Sequence, residues 1–228
     1  MFTGIVQAQA SVIALSDLPG LRSIELQFPP GFCDDLAIGA SVACDGVCLT
    51  VTTRPHTDTA TFDVMQQTLG LTTLGALHTG SRINVERAAR EGAEIGGHPL
   101  SGHVDTTAVL QSIDTPANNH VLRISVEPAW MRYLFAKGYV AVNGASLTIA
   151  NANRAAGWFE VWLIPETLRM TTFGAKRAGD LLNIEIERST QILVDTVSEQ
   201  VDALVSQRLA PVLEELRLLR ELRTAPEK

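Results

Sequence analysis

The chain repeats itself at an offset of 98 to 99 residues, and this duplication constrains its fold more than any other feature. Residues 44–51 and 142–149 share the pattern Gly-x-x-Leu-Thr. Upstream, Thr3–Val6 corresponds to Ser101–Val104, and downstream the matches continue in the same order to Asn-x-Glu at 84–86 and 183–185. Matches that keep their order along both copies indicate two versions of one ancestral domain.

Local signals within each copy indicate β-structure. Asp45-Gly46 and Asn143-Gly144 favour two-residue hairpins, because both dipeptides tolerate the positive φ of a type I′ turn. Runs rich in Val, Ile, Thr and Leu, punctuated by Gly and Pro, predict strands within Ile38–Val51, Arg82–Val85, Val121–Val126, Tyr139–Ile149, Phe159–Leu163 and Leu181–Ile186. Many short strands in each copy predict a small closed barrel, because closure leaves no exposed edge. Short helices are expected at Phe32–Leu36, where a loop is equally tenable, and at Pro128–Lys137.

The tail has a different period. From about Ser189 the apolar residues follow a helical spacing, with Leu193, Val194, Val197, Val201, Leu204 and Val205 on one face. Pro211 is expected to kink or end this helix, and a second amphipathic piece should follow it. The helix either lies on its own barrel or packs against copies of itself, and its short seam favours the first. These changes of pattern divide the chain into residues 1–97, 98–188 and 189–228.

Composition excludes several classes of protein. Lys and Arg number 18 against 25 Asp and Glu, a net charge of −7, so no basic surface for nucleic acid is expected. No apolar run reaches the length of a membrane span, and no basic segment precedes an apolar core at the start. The three cysteines are too few for a disulfide framework and fit a reducing compartment, so a cytoplasmic location is expected.

The two hairpins carry the first candidate chemistry. Side chains alternate along a strand, so Cys48 and Thr50 lie opposite the apolar row of their strand, as do Ser146 and Thr148. Either these faces are solvent-exposed outer surfaces or they form two related pockets. Only a few per cent of an unperturbed thiol is ionised at neutral pH, so a nucleophilic Cys48 would need a nearby cation or donor.

The junction between the copies, residues 96–105, combines glycines with two histidines. Such a loop suits close approach to a ligand. Zinc would find four ligands in Cys44, Cys48, His98 and His103, but the cysteines straddle a hairpin turn and the pairs lie far apart, so no metal site is expected. His98 and His103 are either structural or able to transfer protons near Cys48. The remaining histidines are expected to be structural: His56, His78 and His120.

Three segments together resemble riboflavin synthases of the alpha-chain type: Met1–Val6, Gly97–Asp105, and the two Gly-x-x-Leu-Thr hairpins. The resemblance runs from Met1 to about Ser206. It implies an all-β fold of two tandem six-stranded Greek-key barrels with a C-terminal helix, and a homotrimer assembled through those helices. Under this interpretation Leu193–Val205 becomes the trimer seam.

The resemblance also implies a reaction. Two molecules of 6,7-dimethyl-8-ribityllumazine exchange a four-carbon unit, which gives riboflavin and 5-amino-6-(ribitylamino)uracil without a metal or redox cofactor. A duplicated chain suits this chemistry, because two copies of one substrate need two similar pockets. The 7-methyl proton of the donor is acidic, so a positioned base and oriented donors suffice to start the reaction.

Site residues follow from the resemblance by position. It implies a catalytic set of Cys48, as nucleophile or polariser, with His98, His103 and Ser146. It implies substrate binding by Phe2, Thr3, Gly4, Val6, Ser41, Thr50, Thr68, Gly102, Thr148 and Thr167.

The chain departs from the family pattern at two places. Asp45 and Asn143 exchange the usual Asn and Asp of the two hairpins, so the carboxylate near the second pocket is missing unless Asp45 substitutes for it. Glu187 stands where Asp is common, one methylene longer. A carrier that binds lumazine or flavin without turnover is therefore the alternative function.

Overall fold

The structure is a computed structural model that describes residues 1–90, 92–117 and 119–224. It divides into a compact unit of residues 1–187 and a second unit that begins at Arg188. Within the described residues, no helix combines the length and the apolar character needed to cross a membrane.

The first copy forms a closed antiparallel barrel of six strands in the order β1-β2-β5-β4-β3-β6. The strands are β1 Ala8–Leu18, β2 Leu21–Gln27, β3 Ser41–Cys44, β4 Val47–Thr53, β5 Thr59–Met65 and β6 Arg82–Arg87. A short helix, α1 (Gln66–Leu71), and a 3₁₀ turn (Thr73–Ala76) connect the last two strands.

The second copy repeats this arrangement as a second closed barrel. Its strands are β7 Thr106–Asp114, β8 His120–Ser125, β9 Tyr139–Val142, β10 Ala145–Asn153, β11 Trp158–Leu163 and β12 Leu181–Ile186. Helix α2 (Pro165–Met170) and a 3₁₀ turn (Thr172–Ala175) occupy the equivalent connection. The predicted all-β fold of two tandem barrels is confirmed.

The first of the two short segments is a loop, which the sequence left as one of two alternatives, and the second is helical only in part. Residues 32–35 form turns, and the segment 128–137 contains the 3₁₀ turn Trp130–Tyr133, which ends in extended backbone at Leu134. Left-handed backbone follows at Asp35 and Lys137, with φ of 55° and 69°. A right-handed helix cannot continue through such residues.

The tail forms one helix, α3 (Arg188–Thr224), which continues through Pro211. The alternative that Pro211 ends the helix is therefore wrong, and the kink stays a prediction. Proline removes a single backbone donor, and strong helix formers such as Leu, Glu and Arg surround it in the sequence.

Each barrel receives part of its core from the segment that leads into the other barrel. Residues 1–7, before β1, and 98–105, before β7, are the two lead-in segments. Val6, which precedes β1, is buried in the core of the second barrel, and Val104, which precedes β7, is buried in the core of the first. The two lead-in segments pair where Phe2 and Leu100 exchange backbone hydrogen bonds of 2.9 and 3.0 Å. The barrels are therefore interlocked rather than merely adjacent.

The two hairpin turns meet at the centre of this boundary. Positive φ at both turn residues, 44° and 84° for Asp45-Gly46 and 44° and 78° for Asn143-Gly144, confirms the predicted type I′ turns. A Cβ on Gly46 would lie 2.8 Å from the backbone nitrogen of Gly144, so only glycine permits this approach.

Two asparagines tie each turn to the opposite barrel. The side-chain amide of Asn84, on β6, donates to the Asn143 carbonyl, and that of Asn183, on β12, donates to the Asp45 carbonyl, both at 2.9 Å. The contacts are equivalent in the two copies, so the boundary has an approximate twofold symmetry.

Asp45 and Asn143 hold the same structural place with different chemistry. Asp45 Oδ1 accepts from the Asn84 backbone N–H at 2.8 Å, and Asn143 Oδ1 accepts from the Asn183 N–H at 2.7 Å. Burial raises the pKa of Asp45 to about 6 from its usual value of 3.8. The folded protein therefore holds this proton more tightly than the unfolded chain, and the free energy of unfolding falls as pH rises from about 4 to about 6.

We expect Asp45→Asn to stabilise the protein at pH 7–8 by about 1–3 kcal/mol, because Asn keeps the acceptor and the turn but removes the buried charge. The gain should shrink below pH 4. Thermal and denaturant unfolding across this pH range measure it. Asn143→Asp is the matched control and should destabilise at neutral pH. A loss of stability in Asp45→Asn at pH 8 would contradict this account.

Candidate functional site

Cys48 lines a narrow cleft of about 190 Å³ on the first barrel. The lining residues are Val47, Cys48, Gln67, Thr68, Leu71, Thr72, Gly102, His103 and Val104. Cys48 is partly exposed, whereas Cys33 and Cys44 are buried. Burial also raises the pKa of both buried thiols, so Cys48 is the accessible thiol of the chain.

The backbone of Cys48 is fixed from both sides. Ala43 pairs with it across the β3–β4 hairpin, and the carbonyl of Gly102 accepts from its N–H at 2.8 Å. Gly102 has φ of 77°, and a Cβ there would lie 2.6 Å from Cys48 Cβ. The lead-in segment of the second barrel thus forms one wall of the first cleft.

The equivalent place on the second barrel holds Ser146. Its hydroxyl lies 2.6 Å from Nδ1 of His98, and the His98 ring stacks on Tyr139 with centroids 5.3 Å apart. Tyr139 in turn is paired with Thr148 across β9 and β10. These four residues make up the second candidate site.

His98 is suited to accept a proton. The ring is 4% exposed, and burial lowers its pKa, with the charge of Glu187 opposing that shift. A lowered pKa keeps the imidazole neutral at pH 7, so one ring nitrogen has a free lone pair. Nε2 is buried and has no hydrogen-bond partner among the described residues.

The structure assigns the two candidate histidines to different barrels. His103 shares the cleft of Cys48, Thr68 and Gly102, whereas His98 contacts Ser146. The sequence left open which histidine lies near Cys48. The chain order alone could not resolve this, because only five residues separate the two.

The sequence left open whether Asp45 supplies a carboxylate to the second pocket. Its Oδ1 accepts from the Asn84 backbone within the first barrel and at the boundary between the turns. The charge that acts on His98 belongs to Glu187 instead. The longer side chain at position 187 therefore keeps a carboxylate beside the second pocket.

The other predicted binding residues lie at several places in the two barrels. Phe2, Thr3 and Val6 are buried where the two barrels meet. Ser41 and Thr50 lie opposite each other on β3 and β4, outside the lining of the Cys48 cleft. Gly4 packs against Ser146, and the carbonyl of Thr167 accepts from the Thr171 hydroxyl at 2.6 Å. Their roles in binding stay predictions.

Sequence reasoning missed Glu86 and Glu185 as residues of the site. Both are buried, and both hydrogen-bond to the lead-in segments beside the pockets. The repeated Asn-x-Glu pattern was the available signal. In the part of the chain that the structure describes, no three His, Cys, Asp or Glu side chains are grouped to hold a metal ion.

The chain is similar to proteins of a known family. The lumazine binding domain model matches the chain twice, at residues 3–88 and 101–187. The chain is 43% identical over 204 residues to the riboflavin synthase of Escherichia coli (strain K12), which covers 89% of this chain and 94% of that protein. The chain belongs to the riboflavin synthase family. The riboflavin synthase of Mycobacterium tuberculosis (strain ATCC 25618 / H37Rv) is 38% identical over 188 residues, or 82% of this chain and 93% of that one.

Solved structures share the fold of this riboflavin synthase family member. The crystal structure of LumP complexed with 6,7-dimethyl-8-(1'-D-ribityl) lumazine matches with a TM-score of 0.74 at 21% identity, covering 82% of this chain and 99% of that chain. LumP complexed with riboflavin gives a TM-score of 0.74 at 23% identity, covering 82% and 100%. The paired barrels are therefore common to both groups of proteins.

Gly102→Ala tests whether the lead-in loop forms the wall of the Cys48 cleft. The added methyl group would clash with Cys48, so we expect a loss of stability of several kcal/mol and altered labelling of Cys48 by iodoacetamide. Thermal unfolding and mass spectrometry of the labelled peptide measure these effects.

Gly20→Ala is the matched control for Gly102→Ala. Gly20 has φ of 81°, but nothing lies within 4 Å of its added Cβ. This variant should show only the backbone strain of about 1 kcal/mol. Equal effects of the two substitutions would show that the contact with Cys48 is unimportant.

Proposed function

We propose that the chain catalyses the dismutation of two molecules of 6,7-dimethyl-8-ribityllumazine, as a riboflavin synthase. One lumazine gives up its four-carbon unit and leaves as 5-amino-6-(ribitylamino)uracil. The other gains that unit and becomes riboflavin. The observation that carries this proposal is the pair of equivalent sites, Cys48 and Ser146, in a chain that matches riboflavin synthases along most of its length.

The two sites suit different steps of this reaction. In the second pocket, His98 is held by Ser146 and Tyr139 and is kept neutral, so it can take the 7-methyl proton of a bound lumazine. In the first pocket, Cys48 can add to or polarise the heterocycle, with His103 as its proton partner. A carboxylate at Glu187 favours the imidazolium that forms when His98 accepts the proton.

The polyhydroxy side chain of the substrate needs hydrogen-bonding partners. Hydroxyl groups on the pocket-bearing strands and on the connecting helices can supply them: Ser41, Thr50, Thr68, Thr148 and Thr167. Backbone groups of Thr3, Gly4 and Gly102 add fixed donors and acceptors at the boundary.

Assembly as a homotrimer is part of the proposal. The apolar row on α3 is exposed in the single chain, with 65% of Leu193, 52% of Val197, 50% of Val201 and 56% of Leu204 accessible. Such a continuous apolar face favours burial against another chain. The resemblance to riboflavin synthases implies that, in such a trimer, two similar pockets face each other across a subunit boundary, so that two lumazines meet. Three free cysteines support a cytoplasmic location.

The deciding experiment incubates the purified protein with 6,7-dimethyl-8-ribityllumazine and follows riboflavin by fluorescence and chromatography. We expect one riboflavin for every two lumazines consumed. His98→Gln should lower kcat by about 10²- to 10⁴-fold, because it removes general-base assistance. His56→Gln is the matched control, since His56 is exposed and does not line the Cys48 cleft. Binding of lumazine without turnover would instead establish the carrier function.

Replacement of Val197 and Val201 together by Asp tests the trimer. The added charges would have to be buried at the seam, so the assembly should fall from three chains of 24.6 kDa each to one. Light scattering after size-exclusion chromatography measures the mass. Ser206→Asp adds a charge at an exposed polar position on the opposite face of the same helix and should leave the mass unchanged. An unchanged mass in the double variant would contradict the seam.

A further inference from the structure

Two buried glutamates have no part in the chemistry described above. Glu86 ends the Asn-x-Glu pattern on β6 and is 3% exposed, and Glu185 ends the same pattern on β12 and is 5% exposed. Burial raises the pKa of both. A buried carboxylate is costly unless hydrogen bonds satisfy it, so its partners indicate what it holds.

Each glutamate holds the lead-in segment of its own barrel with three hydrogen bonds. Glu86 accepts from the backbone N–H and hydroxyl of Thr3 at 2.6 and 2.7 Å and from the Gly4 N–H at 3.0 Å. Glu185 accepts from the N–H and hydroxyl of Ser101, both at 2.7 Å, and from the Gly102 N–H at 3.1 Å. The duplication has preserved the whole arrangement in both copies.

The held segments then cross to the opposite barrel. The Gly102 carbonyl accepts from the Cys48 N–H, and the Gly4 carbonyl accepts from the Ser146 N–H, both at 2.8 Å. Each contact supplies a hydrogen-bond acceptor to a strand N–H that has no partner on the neighbouring strand. The pairing of β4 with β5 begins only at Val51, so the Cys48 N–H would otherwise lack a partner on that side.

The second barrel shows the same gap and the same solution. Pairing of β10 with β11 begins only at Ile149, so the Ser146 N–H depends on Gly4. A Cβ on Gly4 would lie 2.5 Å from Ser146 Cβ, which shows how closely the segment packs against the strand. A shift of either segment must therefore move the functional side chain that it touches.

We propose that Glu86 and Glu185 are positioning residues that act across the barrel boundary. Glu185 of the second barrel sets the position of Cys48 in the first. Glu86 of the first barrel sets the position of Ser146 in the second and, through the hydroxyl, that of His98. The effect on catalysis rests on the function proposed above, whereas the crossed geometry can be tested without turnover.

Glu185→Gln and Glu86→Gln in the full-length chain test this crossing. Gln keeps the size of the side chain but turns a donor toward the backbone N–H groups, so each segment loses part of its anchor. One reporter is the rate at which iodoacetamide labels Cys48, measured by mass spectrometry. The other is the rate of hydrogen exchange at the Ser146 backbone N–H, measured by NMR, because this N–H donates to the Gly4 carbonyl.

The proposal predicts a crossed result. Glu185→Gln should accelerate labelling of Cys48 about fivefold, the effect of one typical hydrogen bond, and leave the exchange of the Ser146 N–H unchanged. Glu86→Gln should accelerate the exchange of the Ser146 N–H, whose hydrogen bond the Gly4 carbonyl accepts, and leave the labelling of Cys48 unchanged. The two variants are matched controls for each other, because they carry the same change in equivalent surroundings.

Other outcomes overturn the proposal. If each variant changes the reporter of its own barrel, the glutamates stabilise their barrels locally. If both variants move both reporters alike, they loosen the whole unit, and if neither moves a reporter, they position nothing. Should either Gln variant fail to fold, Ser101→Ala and Thr3→Ala remove only the hydroxyl donor to the same carboxylate, and the same crossed result is required. Since neither reporter needs turnover, failure of the lumazine assay would leave this test intact.

Discussion

The exchange of lead-in segments between the two barrels is the constraint on which the rest of the structure depends. Val6 fills the core of the second barrel and Val104 that of the first. Burial of a valine side chain stabilises by roughly 1.5–3 kcal/mol, so each segment is held where it crosses. The same segments supply the acceptors for Cys48 and Ser146. Core packing and site geometry are thus set by the same few residues.

The duplication has produced two sites that have equivalent backbone contacts but different side chains. The first combines a thiol with the exposed imidazole of His103, and the second combines a hydroxyl with the buried imidazole of His98. Burial lowers the pKa of His98. Two sites that are built alike but carry different side chains suit the proposed dismutation, in which two molecules of one compound react differently.

Features set by neighbours in the chain could be predicted from the sequence. The type I′ turns at Asp45 and Asn143 follow from their dipeptides, and the outward placement of Cys48 follows from alternation along a strand. The duplicated strands also gave the closed barrels. Left-handed backbone at Asp35 and Lys137 had no such signal, so the sequence could not decide between loop and helix at 32–36 and predicted too long a helix at 128–137.

Features set by distant contacts could not be predicted in this way. The crossing of Val104 depends on how two folded barrels meet, and no local pattern records it. The assignment of His98 to Ser146 depends on a contact between residues 48 positions apart. The family resemblance supplied the candidates His98 and His103, but their separation into two pockets required the fold.

The close approach of Gly46 and Gly144 limits how far the two halves of the chain can evolve independently. Each glycine leaves room for the backbone of the other, and each lead-in segment fits a core built by the opposite copy. A gene fusion that replaced one half by an unrelated barrel would lose both fits at once. The halves can diverge in the chemistry of their outer faces, as Cys48 and Ser146 have, while their shared boundary must change in concert.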